Sequence, residues 1–151
     1  MGERYRRKIV QDISLEHTSI ISSDTLSSGS NESLTLTPPD GYIYEIQNMR
    51  VLILAPPSAS SGQHYVLMYP MTVNIPVIRL WSQYNKAIKY VYGHVEAADN
   101  YNPDNNEAFN DMVRNLVATK DYPLLIKYFN DTDVDQTNQR EFYFVYLKRR
   151  I

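Results

Sequence analysis

The chain has no cysteine, and among its 151 residues only five are glycine and one is tryptophan. The missing thiols exclude a disulfide framework, a thiolate metal site and a cysteine nucleophile together, so packing alone must hold the fold. With so few glycines there is no phosphate-cradling loop and no dinucleotide fingerprint, and no G-x-S-x-G elbow occurs. Runs of the roughly 18 apolar residues that mark a membrane span are absent. The basic start Met-Gly-Glu-Arg-Tyr-Arg-Arg-Lys is not followed by the apolar core of a signal peptide, which reads as a protein made soluble inside a cell. An excess of charge is lacking too, with 15 Lys and Arg against 17 Asp and Glu. Nucleic acid as a specific ligand is therefore not expected. His17, His64 and His94 stand apart, without H-x-H or H-x-x-x-H spacing and without a carboxylate to complete a triad. That speaks against metal-dependent enzymes built on double-stranded β folds, and each histidine reads as structural or exposed.

What is present is aromatic and β-branched, with 13 tyrosines beside four phenylalanines. A tyrosine ring is apolar but its hydroxyl wants a wet partner, which suits strand surfaces, sheet edges and interfaces better than deep cores. Two readings stay open: strands simply favour aromatics, or a rim of tyrosines contacts another subunit or a sugar. The plainest strand signal is C-terminal, where apolar, aromatic-rich runs at 122–129 and 140–147 flank a polar stretch at 130–139. The second run, Arg-Glu-Phe-Tyr-Phe-Val-Tyr-Leu, places wide side chains where a pleated surface takes them and contains neither Gly nor Pro. Together they predict a long terminal hairpin. A lone hairpin is barely stable in water, so a sheet beside it and a layer beneath are expected.

Turn chemistry punctuates the rest of the chain roughly every eight to twelve residues, the rhythm of an antiparallel sandwich. Residues 33–37 alternate, Pro-Pro-Asp-Gly at 38–41 turns, and 42–47 leads on to 50–54, predicting a second hairpin. After the Pro- and Ser-rich loop at 56–62, strands are predicted at 64–69 and 77–81 around a Pro-punctuated bend, and another at 87–92. One segment departs from this grammar. Phe109, Met112, Val113, Leu116 and Val117 fall at i, i+3, i+4, i+7 and i+8, with Asp104 or Asn105 as cap and Glu107 in the first turn. The spacing predicts a short amphipathic helix near 105–118; a bulged strand is the alternative, because Asn110 and Asn115 are poor helix formers. Residues 1–30, basic and then serine-rich, read either as an extended N-terminal arm that adds an edge strand to this or a neighbouring subunit, or as a frayed end. Residues 31–151 read as a single β-sandwich domain, large enough to bury roughly 70% of its unfolded surface.

Few constellations offer chemistry. Asp131, Asp133 and Asp135 alternate like the opening of a calcium loop, but its sixth position is Gln136 rather than Gly and its twelfth is Phe142 rather than Glu. The segment is either a solvated loop bonding its own backbone or a looser cation site. Glu96, Asp99, Asp104, Glu107 and Asp111 could supply paired carboxylates for glycoside hydrolysis, though sequence gives no separation between them. No residue is assigned a catalytic, cofactor-binding or metal-ligating role, and neither an enzyme nor a cofactor is expected. Arg4, Arg6, Arg7 and Lys8 at one terminus and Lys148, Arg149 and Arg150 at the other form one positive patch if both ends share an edge, or else keep exposed ends soluble.

Leu-Thr-Leu-Thr-Pro-Pro-Asp-Gly-Tyr-Ile-Tyr-Glu-Ile over 34–46, Tyr-Pro-Leu-Leu-Ile-Lys-Tyr-Phe-Asn-Asp-Thr-Asp over 122–133 and the closing aromatic strand resemble small jelly-roll virion proteins. These include capsid decoration and spike proteins of tailed bacteriophages and archaeal viruses, some with a trimeric, tumour-necrosis-factor-like fold. The resemblance spans roughly residues 30 to 147 as a style of strand and turn. It implies an all-β, jelly-roll-like antiparallel sandwich with a non-enzymatic, structural role. It also implies a homo-oligomer, a trimer favoured, whose arm reaches a capsid or other virion protein, and hence a location in the virion. The alternative function is a carbohydrate- or host-receptor-binding module, in which exposed tyrosines, Trp81 and the loops at 98–106 and 130–139 supply stacking platforms and polar contacts.

Overall fold

In the first half of the chain, apolar residues occupy positions 44 and 46, then 49, 51 and 53. That change of phase within one strand shows how the fold is laid down. The computed structural model describes residues 12–102 and 105–151. They form β1 (Ile13–Ser22), β2 (Ser30–Leu36), β3 (Tyr42–Ile53), β4 (Gly62–Pro70), β5 (Ile78–Gln83), β6 (Ile88–Val91), β7 (His94–Ala97) and β8 (Asn100–Tyr101). After these come α1 (Asn106–Arg114), β9 (Val117–Thr119), β10 (Leu124–Thr132) and β11 (Arg140–Arg150). The pairing of β3 with β11 slips between Val145 and Tyr146, which face Asn48 and Ile46, so Gln47 is the extra residue of a bulge. The bulge returns Met49, Val51 and Ile53 to the face already used by Tyr44 and Ile46, and all five are buried.

Two antiparallel sheets face each other. The first runs β1-β11-β3-β6-β7 with β9 also on β3, and the second runs β2-β10-β4-β5-β8. The central pairs nest: β4 with β5 innermost, then β3 with β9, β2 with β10, and β1 with β11 outermost. From the innermost pair outward, successive shells alternate between the second sheet and the first. This is the double Greek key of a jelly roll. Residues 84–116, holding β6 to β8 and α1, are an excursion between β5 and β9.

Strict alternation supplies the core. Leu124, Ile126 and Tyr128 of β10 point inward to meet Phe142, Phe144 and Tyr146 of β11, all nearly or fully buried. Each such ring or branched chain contributes on the order of 1.5–3 kcal/mol over an exposed position. The predicted helix forms as α1, and burial of Phe109 and Val113 anchors it. Asn105 caps it by accepting a 2.8 Å bond from the Ala108 N–H. It stops at Arg114 because Asn115 caps the last turn, which frees Val117 to begin β9.

Both predicted hairpins are overturned. β10 and β11 lie in different sheets, as do β2 and β3, so the stretches 130–139 and 37–41 are crossings between layers rather than reversals within one. The turn chemistry was real; only the destination differed. Of the predicted N-terminal arm, residues 1–11 lie outside the described residues, while β1 pairs along its length with β11 of its own molecule.

Candidate interaction surfaces

In a two-layer sandwich the outward positions are ordinarily polar. The outer face of the second sheet departs from this. Register places Asn31, Phe129, Tyr65, Trp81 and Asn100 in one row across five strands. The adjoining rows bring Lys127, Leu67 and Arg79 together, and Leu125 beside Tyr69. Tyr65 and Phe129 stack with centroids 4.5 Å apart and planes 10° from parallel. The Lys127 ammonium lies 5.6 Å from the Tyr69 ring. Burial and the nearby Asp131 carboxylate hold the Tyr65 phenol above its ordinary pKa, so it stays neutral. Six apolar or aromatic side chains thus shingle one face, each half-buried by its neighbours.

Inside the same end of the sandwich is a polar cluster that the sequence did not announce. Arg140 opens β11 on the inward parity of Phe142 and Phe144 and is fully buried. Its Nη2 donates to Glu32 Oε2 at 2.8 Å and to the Asp24 carbonyl at 2.8 Å, and its Nη1 donates to the Asn138 carbonyl at 2.8 Å. The guanidinium also lies 5.2 Å from the Tyr128 ring. From there a directed chain runs outward. Asn138 Nδ2 donates to Tyr128 Oη at 3.0 Å, the phenol donates to His64 Nδ1 at 2.9 Å, and His64 Nε2 donates to the Lys86 carbonyl at 2.6 Å. That carbonyl can only accept, which fixes the tautomer. Desolvation lowers His64 to about 4 and pushes Tyr128 up to about 12, so both are neutral near pH 7. With Ser22 of β1, whose Oγ accepts from Arg140 Nη2 at 3.3 Å and donates to Glu32 Oε2 at 2.9 Å, the cluster ties β1, β2, β4, β10 and β11 across both layers. Parity was the available signal, since Arg140 lies two residues from a buried Phe.

The remaining sequence candidates are dispersed. Asp133 accepts from the Ser60 and Ser61 N–H groups at 2.9 and 3.2 Å, whereas Asp135 accepts from the Ser28 N–H at 3.0 Å. The stretch at 130–139 is not a solvated loop: Asn130, Thr132, Gln136 and Asn138 are buried, and Leu26 and Gln136 exchange backbone hydrogen bonds. Among the described residues no group of three or more His, Asp and Glu side chains is placed to hold a metal ion. Glu96 and Asp99 each pair with a lysine at 2.9 Å, Lys89 and Lys86 respectively. Glu107 and Asp111 are exposed on α1, and Asp104 lies outside the described residues. His17 is exposed beside the Tyr143 ring, and His94 Nδ1 lies 2.7 Å from Asn106 Nδ2.

Of the two basic termini, Arg4, Arg6, Arg7 and Lys8 lie outside the described residues. The C-terminal cations are largely compensated: Arg149 pairs with Glu45 at 3.1 Å, Lys148 with Glu16 at 3.9 Å and Arg150 with Asp12 at 3.8 Å. Register does bring Ile13 opposite Arg149.

No family model matches the sequence, and no curated protein matches it. Among solved structures, the chain is similar to one from Cocksfoot mottle virus at 8% identity and a TM-score of 0.49, covering 92% of this chain and 84% of that one. It is similar to a chain of Desmodium yellow mottle tymovirus at 8% identity and a TM-score of 0.39, covering 91% and 88%. A chain of Mud crab tombus-like virus matches at 10% identity and a TM-score of 0.39, covering 91% and 82%.

Proposed function

We propose that this chain is a structural virion subunit, a jelly-roll sandwich that self-associates through the outer face of its second sheet and takes its place in a larger particle without catalysing a reaction. The aromatic face carries this reading: Phe129, Tyr65, Trp81, Leu67, Tyr69 and Leu125 stand where an isolated sandwich would present polar side chains. Its occupant is a second copy of the chain. Rigid aromatic side chains with scattered cations, here Lys127 and Arg79, are the composition of a protein interface core with its rim. A trimer is the order implied by the likeness to small virion proteins, with Arg4, Arg6, Arg7 and Lys8 supplying contact with the particle.

Light scattering coupled to size exclusion tests the proposal on the full chain. The expected mass is a small multiple of 17.6 kDa. Leu67→Glu, on the outward face, should fall to the monomer mass with an unchanged circular dichroism spectrum. A wild-type monomer at roughly 100 μM, or a Leu67→Glu variant that assembles as before, overturns it.

A further inference from the structure

On the first sheet, three irregularities of the chain meet. The β3 bulge turns Gln47 and Asn48 outward between the buried Ile46 and Met49. The tight turn from β6 to β7 holds Tyr92 and Gly93 at φ of 43° and 102°, placing a bulky residue in the left-handed region where such turns take asparagine. The C-terminal half of α1 presents Asn110 and Arg114 to the same place. Together these residues line a pocket of about 190 Å³.

The free valences of the pocket define its ligand. Asn110 is already used at both ends, accepting from the Tyr90 hydroxyl and donating to the Gly93 carbonyl at 2.7 Å, so it is a fixed wall. Gln47 Nε2 donates to the Glu45 carbonyl at 3.1 Å, leaving Oε1 as an acceptor. Asn48 Oδ1 accepts from the Met49 N–H at 2.8 Å, leaving Nδ2 as a donor. Arg114 forms no ion pair among the described residues. The Tyr92 ring is 49% exposed, yet it is held edge-to-face against Tyr143 at 6.2 Å, with Arg50 6.0 Å away.

We propose that this pocket binds a sugar residue bearing a carboxylate, as the terminal unit of an acidic glycan. The Arg114 fork takes the carboxylate, Asn48 and Gln47 take hydroxyl groups, and the Tyr92 ring takes the apolar C–H face of the sugar. A bare anion fits less well, because it would engage Arg114 but leave Asn48 Nδ2 and Gln47 Oε1 without a ligand partner, whereas a sugar bearing a carboxylate reaches all three. The C-terminal end of α1 by itself disfavours an anion, and the Arg114 charge in its last turn offsets this. The retained strain at Tyr92 is then intelligible: the turn keeps a poor turn former because its ring is the stacking platform.

Amide-resolved NMR titration of the full chain tests this, with methyl glucuronide and methyl N-acetylneuraminide as probes and methyl glucoside as the neutral control. The acidic glycosides should shift the Asn48, Gly93 and Arg114 amides at millimolar concentration, and the glucoside should bind about tenfold more weakly. Arg114→Gln should erase that preference. Tyr92→Asn should weaken every glycoside while the melting temperature holds or rises, a result that a merely structural tyrosine would not give. Shifts elsewhere on the surface, equal binding of the neutral control, unchanged affinity in Arg114→Gln or no shift at all overturns the proposal. None of these outcomes bears on self-association, which is read by mass.

Discussion

Arg140 occupies a position where a strand of this kind would ordinarily bury phenylalanine or leucine. A buried guanidinium is tolerable only if its charge and donors are met, and Glu32, Asn138 and the Asp24 carbonyl do so, with Arg140 Nε and Glu32 Oε1 left over. Arg140→Met should therefore cost about 3–5 kcal/mol, chiefly by stranding Glu32, and Arg140→Met with Glu32→Gln should recover part of the loss in urea melts. His64 sets a pH dependence through the same cluster. Its folded pKa, near 4, lies below the unfolded value of 6.5 because desolvation penalises the cation, so the unfolded chain binds the proton first. Its stabilisation is fully present above pH 6.5 and is lost as pH falls toward 4, a decline of about 3 kcal/mol over that window. His64→Gln should flatten that part of the stability profile. Neither residue is conspicuous in sequence, because an Arg at a strand end and a lone His look the same exposed or buried. Only their parity with Phe142, Phe144 and Val66 marks them.

At the scale of elements, the helix was legible because Phe109, Met112 and Val113 kept a 3.6-residue period and Asn105 stood where a cap belongs, whereas Leu116 and Val117 continued the period past its end at Arg114. Asn105→Ala should lower stability by about 1 kcal/mol, measured by thermal unfolding, since the Ala108 N–H would lose its acceptor. Strand positions were equally readable from alternation. Pairing was not. Pro-Pro-Asp-Gly at 38–41 and the polar stretch at 130–139 announce a change of direction, but local chemistry does not say whether the next strand returns beside its predecessor or crosses to the opposite layer. Sequential strands more often pair, so the hairpin was the expected outcome. Here the buried Asn130, Gln136 and Asn138 bridge the crossing, bonding Leu26 and Leu54 in segments far away in sequence. The Tyr92–Gly93 turn was also hidden, since tyrosine is not a turn former by propensity.

At the scale of the molecule, one outer face is aromatic and the opposite sheet carries a polar pocket, so the proposed assembly and the proposed recognition would use separate surfaces. If the aromatic face holds subunits together, unfolding is linked to dissociation and the melting temperature should rise with protein concentration. Leu67→Glu should abolish that dependence while leaving the His64 transition in place. The abundance of tyrosine did not single out this face, since only Tyr65 and Tyr69 stand in it while Tyr44, Tyr90, Tyr128 and Tyr146 are buried in the core. Its location depends on which strands become neighbours.

The concentric pairing has a consequence for how the chain is born. β1 and β3 both wait for β11, so a ribosome must release the chain through Arg150 before either gains this long partner. Until then half-built layers with naked apolar surfaces persist, and such late closure favours slow maturation and dependence on chaperones during synthesis.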